Sequence, residues 1–598
     1  MHSLRGAGQV LPKRQECRGR RIDHDKDKQA NSQPTPIPAD RVEAEIAEHQ
    51  YPLADAAMRE TLADGGEDLA PEPLPTKSST ARNTAIFGAL TGLSRVAGLA
   101  REVLAAAYYG TSGAASAFTL AFLIPNTVRS LFADSALSGA FIPVFSELLD
   151  KNKKAEAFKL ASTLFMVMFA VLGALTVAFI LLAGVIVPLL TPTEIVDAGL
   201  QGLTTGLSQL LFPIVLILGL NGLVVGILQA YDRFTIPALS ALVWNIVIMI
   251  AMVSLQPFFS GEDEIYAYAI GILIGTVVQF LMALPVLRKV GFKFAREINW
   301  RDKRVLQVFT LMLPVTLGLG LINFNLFANA YIGGLVSDQV PRAIDNAFRI
   351  YMLPQGIFSV AISTVLFPQL SRLAGRMDML GVQELCARGM RVIALMLLPA
   401  TAALLALSEP ITQLIFERGE FGPESTALVS TGLFWFAFAL PFSGINLLLT
   451  RTFFSLKRPW IVTGLALSNL FVNAIVAYSL KGYGIGGIVA GTVTADVTMA
   501  GAQFWFLRRV LGGKLVLTDM TRPIAKMLVG AAGFAAAAYA VWFGLSEWLG
   551  EATLAQILEV GAALAAGALV YAVIVLALKV GEAQTMRRMV MSRLRPAS

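Results

Sequence analysis

The sequence predicts an all-α polytopic membrane protein with about 14 transmembrane helices. Of its 598 residues, 55% are hydrophobic and only 15% are charged, and the mean hydropathy is +0.64. Soluble globular chains carry about 25% charged residues. Apolar runs of about 20 residues, the length that crosses a bilayer as a helix, recur along the chain. A large soluble protein does not account for runs so many and so long.

Fourteen apolar segments follow the polar N-terminus, with bounds that are good to a few residues. The connections between them alternate between basic segments, such as 288–304, and neutral or acidic segments, such as 260–264 and 409–425. Basic loops stay in the cytoplasm. Both termini are therefore predicted to be cytoplasmic, as an even number of spans requires. The segments are 82–109, 112–149, 157–190, 196–230, 235–257, 265–288, 302–334, 338–371, 385–407, 424–456, 459–480, 484–507, 521–546 and 554–579.

An internal repeat divides the spans into two lobes. LQAYDRFTIP (228–237) resembles TFFSLKRP (452–459), and GTVVQFLMALPVLRKVG (275–291) resembles GTVTADVTMAGAQFWFLRRVLG (491–512). The period covers six spans, and because six is even, both copies cross the membrane in the same direction. This predicts two six-helix lobes related by a pseudo-twofold axis along the membrane normal, a transporter architecture. The predicted parts are the N-lobe (81–295), the C-lobe (296–515), two C-terminal helices (516–580) and a basic cytoplasmic tail (581–598).

Residues 1–80 differ in kind from the rest. They contain no Phe or Trp and include the proline-rich pieces SQPTPIPAD and APEPLP, so we expect a disordered cytoplasmic tail. All three histidines, His2, His24 and His49, lie in it. The membrane part therefore has no His proton relay, His metal site or His-containing triad. The sequence also lacks a Walker A motif, which argues against a built-in ATPase.

Charged residues inside the predicted spans include Arg95, Arg101 and Glu102 in the first, Arg129 in the second and Arg349 in the eighth. An arginine at the centre of a membrane helix costs about 2.5–3.5 kcal/mol. These arginines must therefore face a wet cavity or a partner. An anion site between the lobes is favoured, because arginines outnumber acids there and the guanidinium fork suits phosphate oxygens.

Local pairing is the alternative to an anion site. In that interpretation Arg101 pairs with Glu102, and Asp134 neutralises Arg129. Prolines also fall in matching spans of both lobes, Pro125 and Pro143 in the second and Pro354 and Pro368 in the eighth, and they are expected to break or bend those helices.

A second polar set lies in the later spans. Its members pair at a spacing of four residues, which puts each pair on one helix face. Oxygen ligands with one carboxylate suit Na⁺, a lone buried Asp suits H⁺, and interhelical hydrogen bonding needs no ion. The residues are Asn325, Asn329, Asn469, Asn473, Thr492 and Asp496.

Four motifs together resemble the MurJ (MviN) lipid II flippases of the MOP superfamily. They are SRVAGLARE (94–102), AFLIPNTVRSLFADSALSGAFIPVFSE (121–147), YDRFTIP (231–237) and FRIYMLPQGIFSVAISTVLFPQLSR (348–372). The resemblance covers about residues 82–580. It implies a 14-helix fold in the bacterial cytoplasmic (inner) membrane. It also implies translocation of the undecaprenyl-diphosphate-linked peptidoglycan precursor to the outer leaflet.

The resemblance also implies roles for individual residues. The family's cavity arginines fall on Arg95, Arg101, Arg129 and Arg349. Glu102 stands where Asp is common, Asp134 where Glu is common, and Asn126 matches a PN motif. Ser116, in ASAF, stands where the family often has an acid. The family's sodium site maps onto Asn469, Asn473 and Thr492, with Asn325 or Asn329 in place of an acid and Asp496 supplying the charge.

These observations predict a transporter, not an enzyme, that flips lipid II by alternating access with the diphosphate bound by cavity arginines. The expected partners are lipid II, the membrane, and cell-wall synthesis or division proteins that bind the N-terminal tail, with no nucleic acid. No cofactor is expected beyond a coupling ion, Na⁺ or H⁺. The alternatives are a flippase for another diphosphate-linked polysaccharide precursor, a small-molecule exporter of the same fold, and a cell-wall scaffold.

Overall fold

The computed structural model describes residues 77–132, 135–295, 302–512, 518–550 and 552–594, and this part of the chain is helical with short connections. Within it, ten helical segments are long and apolar enough to cross a membrane. This confirms the prediction of an all-helical polytopic membrane protein. Residues 1–76, which make up most of the predicted N-terminal tail, lie outside the described part.

The helices follow the predicted spans closely, although several spans divide in two. They are α1 (Lys77–Tyr109), α2 (Gly113–Phe132), α3 (Ser135–Asp150), α4 (Lys154–Leu190), α5 (Thr193–Asp197), α6 (Gln201–Leu211), α7 (Pro213–Ala230), α8 (Thr235–Leu255), α9 (Ile265–Lys289), α10 (Lys303–Gly333), α11 (Val340–Pro354), α12 (Val360–Gly375), α13 (Met379–Ala406), α14 (Ser408–Phe416), α15 (Pro423–Ser455), α16 (Pro459–Leu480), α17 (Gly484–Val510), α18 (Thr518–Leu549), α19 (Thr553–Ala577) and α20 (Gly581–Leu594).

The helices pack in two groups, which we call the N half (α1–α9) and the C half (α10–α17). In the N half α8 packs against α1 and α9, and α7 packs against α4 and α9. In the C half α15 packs against α11, α13 and α17, and α16 packs against α17. Helix α18 packs between α13 and α19. Each group has its own buried apolar core, as two layers of amphipathic helices require.

Helix α10 connects the two halves. The repeat assigns it to the C-lobe, yet it packs against α2 and α3 of the N half as well as α16 of the C half. Its residues Val305, Val308 and Met312 are buried in the apolar core of the N half. The sequence boundary near residue 296 therefore does not coincide with a boundary in packing.

The internal repeat reappears as matching turns. Asn152 and Met377 lie 225 residues apart, as do Asp232 and Lys457, and all four have positive φ angles of 56–57°. In each turn the next residue donates its N–H to the carbonyl five positions earlier, at 2.9–3.0 Å. This is the Schellman pattern of a helix C-terminus. Both copies thus end the corresponding helices in the same way.

The prolines behave differently from one another. Pro125, Pro143 and Pro368 lie inside continuous helices, so these three prolines do not break their helices, and that they bend them stays a prediction. Membrane helices tolerate proline because neighbouring groups satisfy the freed carbonyl. Pro354 alone of the four ends its helix, and a π-helical turn at Gln355–Ser359 follows it.

Candidate functional site: an arginine-lined cavity

A cavity of about 710 Å³ opens between helices α1, α2, α7, α8, α9 and α11. Its charged lining residues are Arg101, Arg129 and Arg349, and no Asp or Glu is among the residues that line it in the described part of the chain. The cavity reaches Gln229 and Pro237, which flank the turn between α7 and α8. The arginines thus place positive charge in the wall without an acidic neighbour in that wall.

Glu102 lies just behind the cavity wall and binds arginines from both halves. Its carboxylate is 2.6 Å from Arg101 Nη2 on its own helix, 3.3 Å from Arg342 Nη2 and 3.2 Å from Arg349 Nη1 on α11. The Tyr268 hydroxyl of α9 donates to Glu102 Oε1 at 3.2 Å. One buried carboxylate therefore ties α1 of the N half to α11 of the C half.

Helix α11 carries its own acid for this cluster. Asp345 Oδ2 is 3.2 Å from Arg342 Nη1 and 3.0 Å from Arg349 Nη2. The three residues are spaced three and four apart, so they share one helix face. Together with Arg101, Glu102 and Tyr268 they form what we call the Glu102 cluster.

The Glu102 cluster has fewer acids than arginines. Three arginines meet two carboxylates, and in the described residues Arg101 Nε, Arg101 Nη1 and Arg342 Nε have no hydrogen-bond partner although they are buried. The Arg101 guanidinium also lies 4.7 Å from the centre of the Trp244 ring, a cation–π contact. Buried donors without acceptors are costly, and a ligand that supplies oxygen atoms would satisfy those that it reaches.

Arg129 is held at a second point of the wall by the PN motif. Its Nε and Nη2 donate to Asn126 Oδ1 at 3.1 and 2.9 Å. Asn126 Nδ2 in turn donates to Asn323 Oδ1 of α10 at 3.2 Å. The motif predicted from sequence therefore orients an arginine and links α2 to the helix that connects the halves.

Three residues singled out from the sequence either do not line this cavity or lie outside the described part of the chain. Arg95 is exposed and absent from the cavity lining, and its Nη1 would be 3.1 Å from a Cβ added to Gly356 in the π turn. Asp134 lies outside the described residues. Ser116 is buried, and its hydroxyl accepts the N–H of Arg342 at 3.2 Å. Arg95 is thus not among the residues that line this cavity, and its grouping with the other three arginines stays a prediction.

The two halves also meet beyond the Glu102 cluster, at what we call the closed end. Thr111 Oγ1 and Ser425 Oγ share a hydrogen bond of 2.7 Å, and Glu420 N–H donates to the carbonyl of Ala107 at 2.9 Å. Thr111 is nine residues past Glu102, about 13 Å along a helix. Gly419 has a φ of 58°, and an added Cβ would lie 2.2 Å from Ala107 O, so only glycine fits there.

The second predicted polar set is brought together, which defines the amide cluster: Asn325, Asn329, Asn469, Asn473 and Thr492. Asn473 Nδ2 donates to Asn325 Oδ1 at 3.0 Å and to Asn329 Oδ1 at 2.8 Å. The remaining bonds run from Asn325 to Asn469 at 2.8 Å, from Asn329 to Thr492 at 2.9 Å and from Thr492 to Asn473 at 3.2 Å. Every amide oxygen thus accepts a hydrogen bond from another member.

Asp496 lies at the edge of the amide cluster. Its Oδ1 accepts from Asn469 Nδ2 at 3.4 Å and from Asn446 Nδ2 at 3.5 Å, both long bonds. Within the described residues, no group of three or more His, Cys, Asp or Glu side chains that could hold a metal ion is found. A cation here would bind mainly to neutral oxygens, after displacing the bonds that join them.

Sequence reasoning missed Arg342, Asp345 and Tyr268. The spacing of Arg342, Asp345 and Arg349 on one face of an otherwise apolar helix was the available signal. Tyr268 had no such signal, because a tyrosine in an apolar span is an ordinary core residue.

Comparisons with known proteins agree with this architecture. The family described as "Lipid II flippase MurJ" matches residues 105–560. A protein of Rhizobium meliloti (strain 1021) described as "Probable lipid II flippase MurJ" is 29% identical over 516 residues, which cover 80% of this chain and 96% of that protein.

Solved structures share the fold at low sequence identity. One described as "Lipid II flippase MurJ, inward closed conformation" has a TM-score of 0.67 and 22% identity, over 82% of this chain and 98% of the other. An inward-facing MATE family multidrug resistance transporter of the MOP superfamily has a TM-score of 0.59 and 13% identity, over 73% and 99%. Since the family match spans most of the chain, the protein belongs to the lipid II flippase MurJ family, a family of membrane transporters and not of enzymes.

Proposed function

We propose that this chain moves lipid II from the inner to the outer leaflet of the bacterial cytoplasmic membrane, with the substrate diphosphate bound in the cavity. The observation that carries the proposal is the excess of arginines at the cavity. Arg101, Arg129 and Arg349 line it, and in the described part of the chain the cluster behind the wall sets two carboxylates against three arginines. A net positive cavity between membrane helices selects an anion. It disfavours the cationic drugs of a small-molecule exporter.

The arginines suit a diphosphate for two physical reasons. Each guanidinium presents donors in a planar fork that matches phosphate oxygens, and charge-assisted bonds of this kind are about twice as strong as neutral ones. The surrounding helices are largely apolar, and ionic contacts are stronger in surroundings of low dielectric constant than in bulk water. Arg101 also has two buried donor atoms without a partner in the described residues, and these can donate hydrogen bonds to phosphate oxygens.

Alternating access follows from the contacts between the halves. The cavity is lined by Gln229 and Pro237, which flank the turn that contains Arg233. This turn lies in a basic connection of the sequence and is therefore proposed to be cytoplasmic. The Glu102 cluster and the closed end would then form the barrier on the outer side. Release outward requires Glu102 to separate from Arg342 and Arg349. Asp345 moves with those arginines and continues to neutralise them.

The finer architecture is part of the proposal. It has 14 transmembrane helices, two six-helix lobes (81–295 and 296–515) related by a pseudo-twofold axis along the membrane normal, and two C-terminal helices (516–580). The matching turns 225 residues apart support the repeat. Tails 1–80 and 581–598 are proposed to be cytoplasmic. Within the second tail α20 is helical, and Glu582 pairs with Arg391 of α13.

Two parts of the proposal stay predictions from the sequence. One is the coupling ion, Na⁺ at Asn325, Asn329, Asn469, Asn473, Thr492 and Asp496, or H⁺ at Asp496. The other is the binding of cell-wall synthesis or division proteins to the N-terminal tail. A flippase for another diphosphate-linked polysaccharide precursor would use the same arginines, so the test must identify the sugar.

The test uses a bacterium depleted of its own lipid II flippase. The chain and the variants Arg129→Ala, Arg349→Ala and Arg391→Ala are expressed at matched membrane levels, and lipid II exposed on the outer leaflet is measured. We expect exposure with the parent and with Arg391→Ala, whose arginine lies outside the cavity, and loss with the two cavity variants. Lipid II exposure with every variant would show that Arg129 and Arg349 do not form the binding site. No lipid II exposure with a well-folded parent would refute lipid II as the substrate.

A further inference from the structure

The cavity has a second polar region that carries no charge. It consists of Asn221 and Gln229 on α7 and Gln279 on α9, all of which line the cavity. Within the described part of the chain, none of these three side-chain amides makes a hydrogen bond to another group of the protein. We call these three residues the neutral wall.

Asn221 is the most informative member. It is 7% exposed, and its Oδ1 atom is buried without a hydrogen-bond partner in the described residues. Leaving a buried acceptor unpaired is unfavourable, and a ligand that donates a hydrogen bond to it removes that cost. The neighbouring lining residue Asn245 repeats the pattern, because its Nδ2 is bonded to Ala241 O and Ser94 O while its buried Oδ1 has no partner.

We infer that the neutral wall binds the sugar hydroxyl and acetamido groups that adjoin the diphosphate of the substrate headgroup. The inference rests on the proposed function, which supplies the diphosphate at the arginines. A carboxamide offers two donors and an acceptor, and hydroxyl and acetamido groups offer both kinds in return. Because the neutral wall has no cationic side chain, it binds phosphate less strongly than the arginines do. Because it has no acidic side chain, it does not repel the phosphate.

The two regions then divide the task of recognition. The arginines bind any lipid diphosphate, whereas the neutral wall is paired only when a sugar occupies it. A site built to hydrogen-bond a ligand discriminates strongly against an analogue that lacks the matching groups. The cavity volume of about 710 Å³ also falls within the range of about 300–1,000 Å³ that holds a ligand of drug size.

The test compares two lipids that share the same tail and diphosphate. Purified full-length protein in lipid nanodiscs is titrated with lipid II and, separately, with sugar-free undecaprenyl diphosphate, and the bound fraction is read by native mass spectrometry. The variants are Asn221→Leu and Gln279→Met, which remove hydrogen-bonding groups from different helices. The control is Gln201→Met, a half-buried glutamine of α6 that does not line the cavity.

We expect each wall variant to bind lipid II about tenfold more weakly, the effect of about one or two lost hydrogen bonds. Their affinity for undecaprenyl diphosphate should change less than twofold, and the control should match the parent for both lipids. Equal losses for both lipids, or unchanged lipid II binding in both folded variants, would overturn the inference alone. A parent that binds neither lipid would overturn the proposed function together with it.

Discussion

Two polar clusters are buried between the helices of this protein, and they differ in whether their groups are satisfied. The Glu102 cluster is ionic, joins the two halves and contains buried arginine donors without partners in the described residues. The amide cluster is uncharged, and each of its oxygens accepts a hydrogen bond from another member. One lies beside an open cavity, and the other fills the space between α10, α16 and α17.

This difference distinguishes a ligand-binding site, whose polar groups lack partners within the protein, from a structural cluster that holds helices together. Interhelical hydrogen bonds stabilise membrane proteins by about 0.6 kcal/mol each on average, and a closed set of them needs no further partner. Buried arginines with free donors are costly and persist where function requires them. The account therefore assigns substrate binding to the first cluster with its cavity, and adhesion to the second.

The largest expected effect follows from removing the shared carboxylate. Glu102→Gln leaves Arg101, Arg342 and Arg349 with Asp345 as their remaining acid in the cluster. Breaking a buried ion pair on one side costs about 3–5 kcal/mol. We expect a large fall in the unfolding temperature of the purified protein and loss of lipid II exposure in cells.

The matched control is Glu147→Gln, which breaks an exposed pair with Lys151. Such surface pairs contribute about 0.2–1 kcal/mol. Equal unfolding temperatures for the two variants would show that the Glu102 cluster does not join the halves in solution.

A moderate effect is expected when the amide cluster loses its centre. Asn473→Leu removes two donated hydrogen bonds and one accepted bond. At about 0.6–1 kcal/mol for each bond, the free energy of unfolding should fall by about 2 kcal/mol. Thr494→Val, at an exposed residue that bonds its own helix, serves as the control in the same thermal unfolding assay. A variant as stable as the parent would contradict the adhesive role.

The smallest effect is expected from the choice of cation. If the amide oxygens stay occupied by one another, the unfolding temperature should be the same in sodium chloride and in choline chloride of equal concentration. A rise of several degrees specific to Na⁺, which disappears in Asp496→Asn, would instead establish the predicted sodium site. It would mean that Na⁺ rearranges the hydrogen bonds.

The sequence predicted those features that depend on local pattern. Arg101, Glu102, Arg129 and Arg349 stood out because charge is rare in apolar spans, and all four lie in or beside the cavity. Arg342 was missed although its spacing with Asp345 and Arg349 was a local signal, and its partner Glu102 lies 240 residues away in the chain. No local pattern reports a contact of that separation.

Other features depended on packing that the sequence does not encode locally. Arg95 has the same signal as Arg101, yet the turn of the helix leaves it exposed near Gly356. Helix α10 follows the repeat in sequence, and yet it packs into the core of the N half as well as against α16 of the C half.

The central claim is that the cavity arginines bind the lipid diphosphate. The most direct measurement is the affinity of purified protein in nanodiscs for lipid II, compared among the parent, the double variant Arg129→Ala/Arg349→Ala and the control Arg391→Ala. Hydrogen bonds to charged groups contribute about 1.5–3 kcal/mol each, so the double variant should bind at least about 100-fold more weakly. The control should match the parent. A folded double variant that binds lipid II as tightly as the parent would contradict the account.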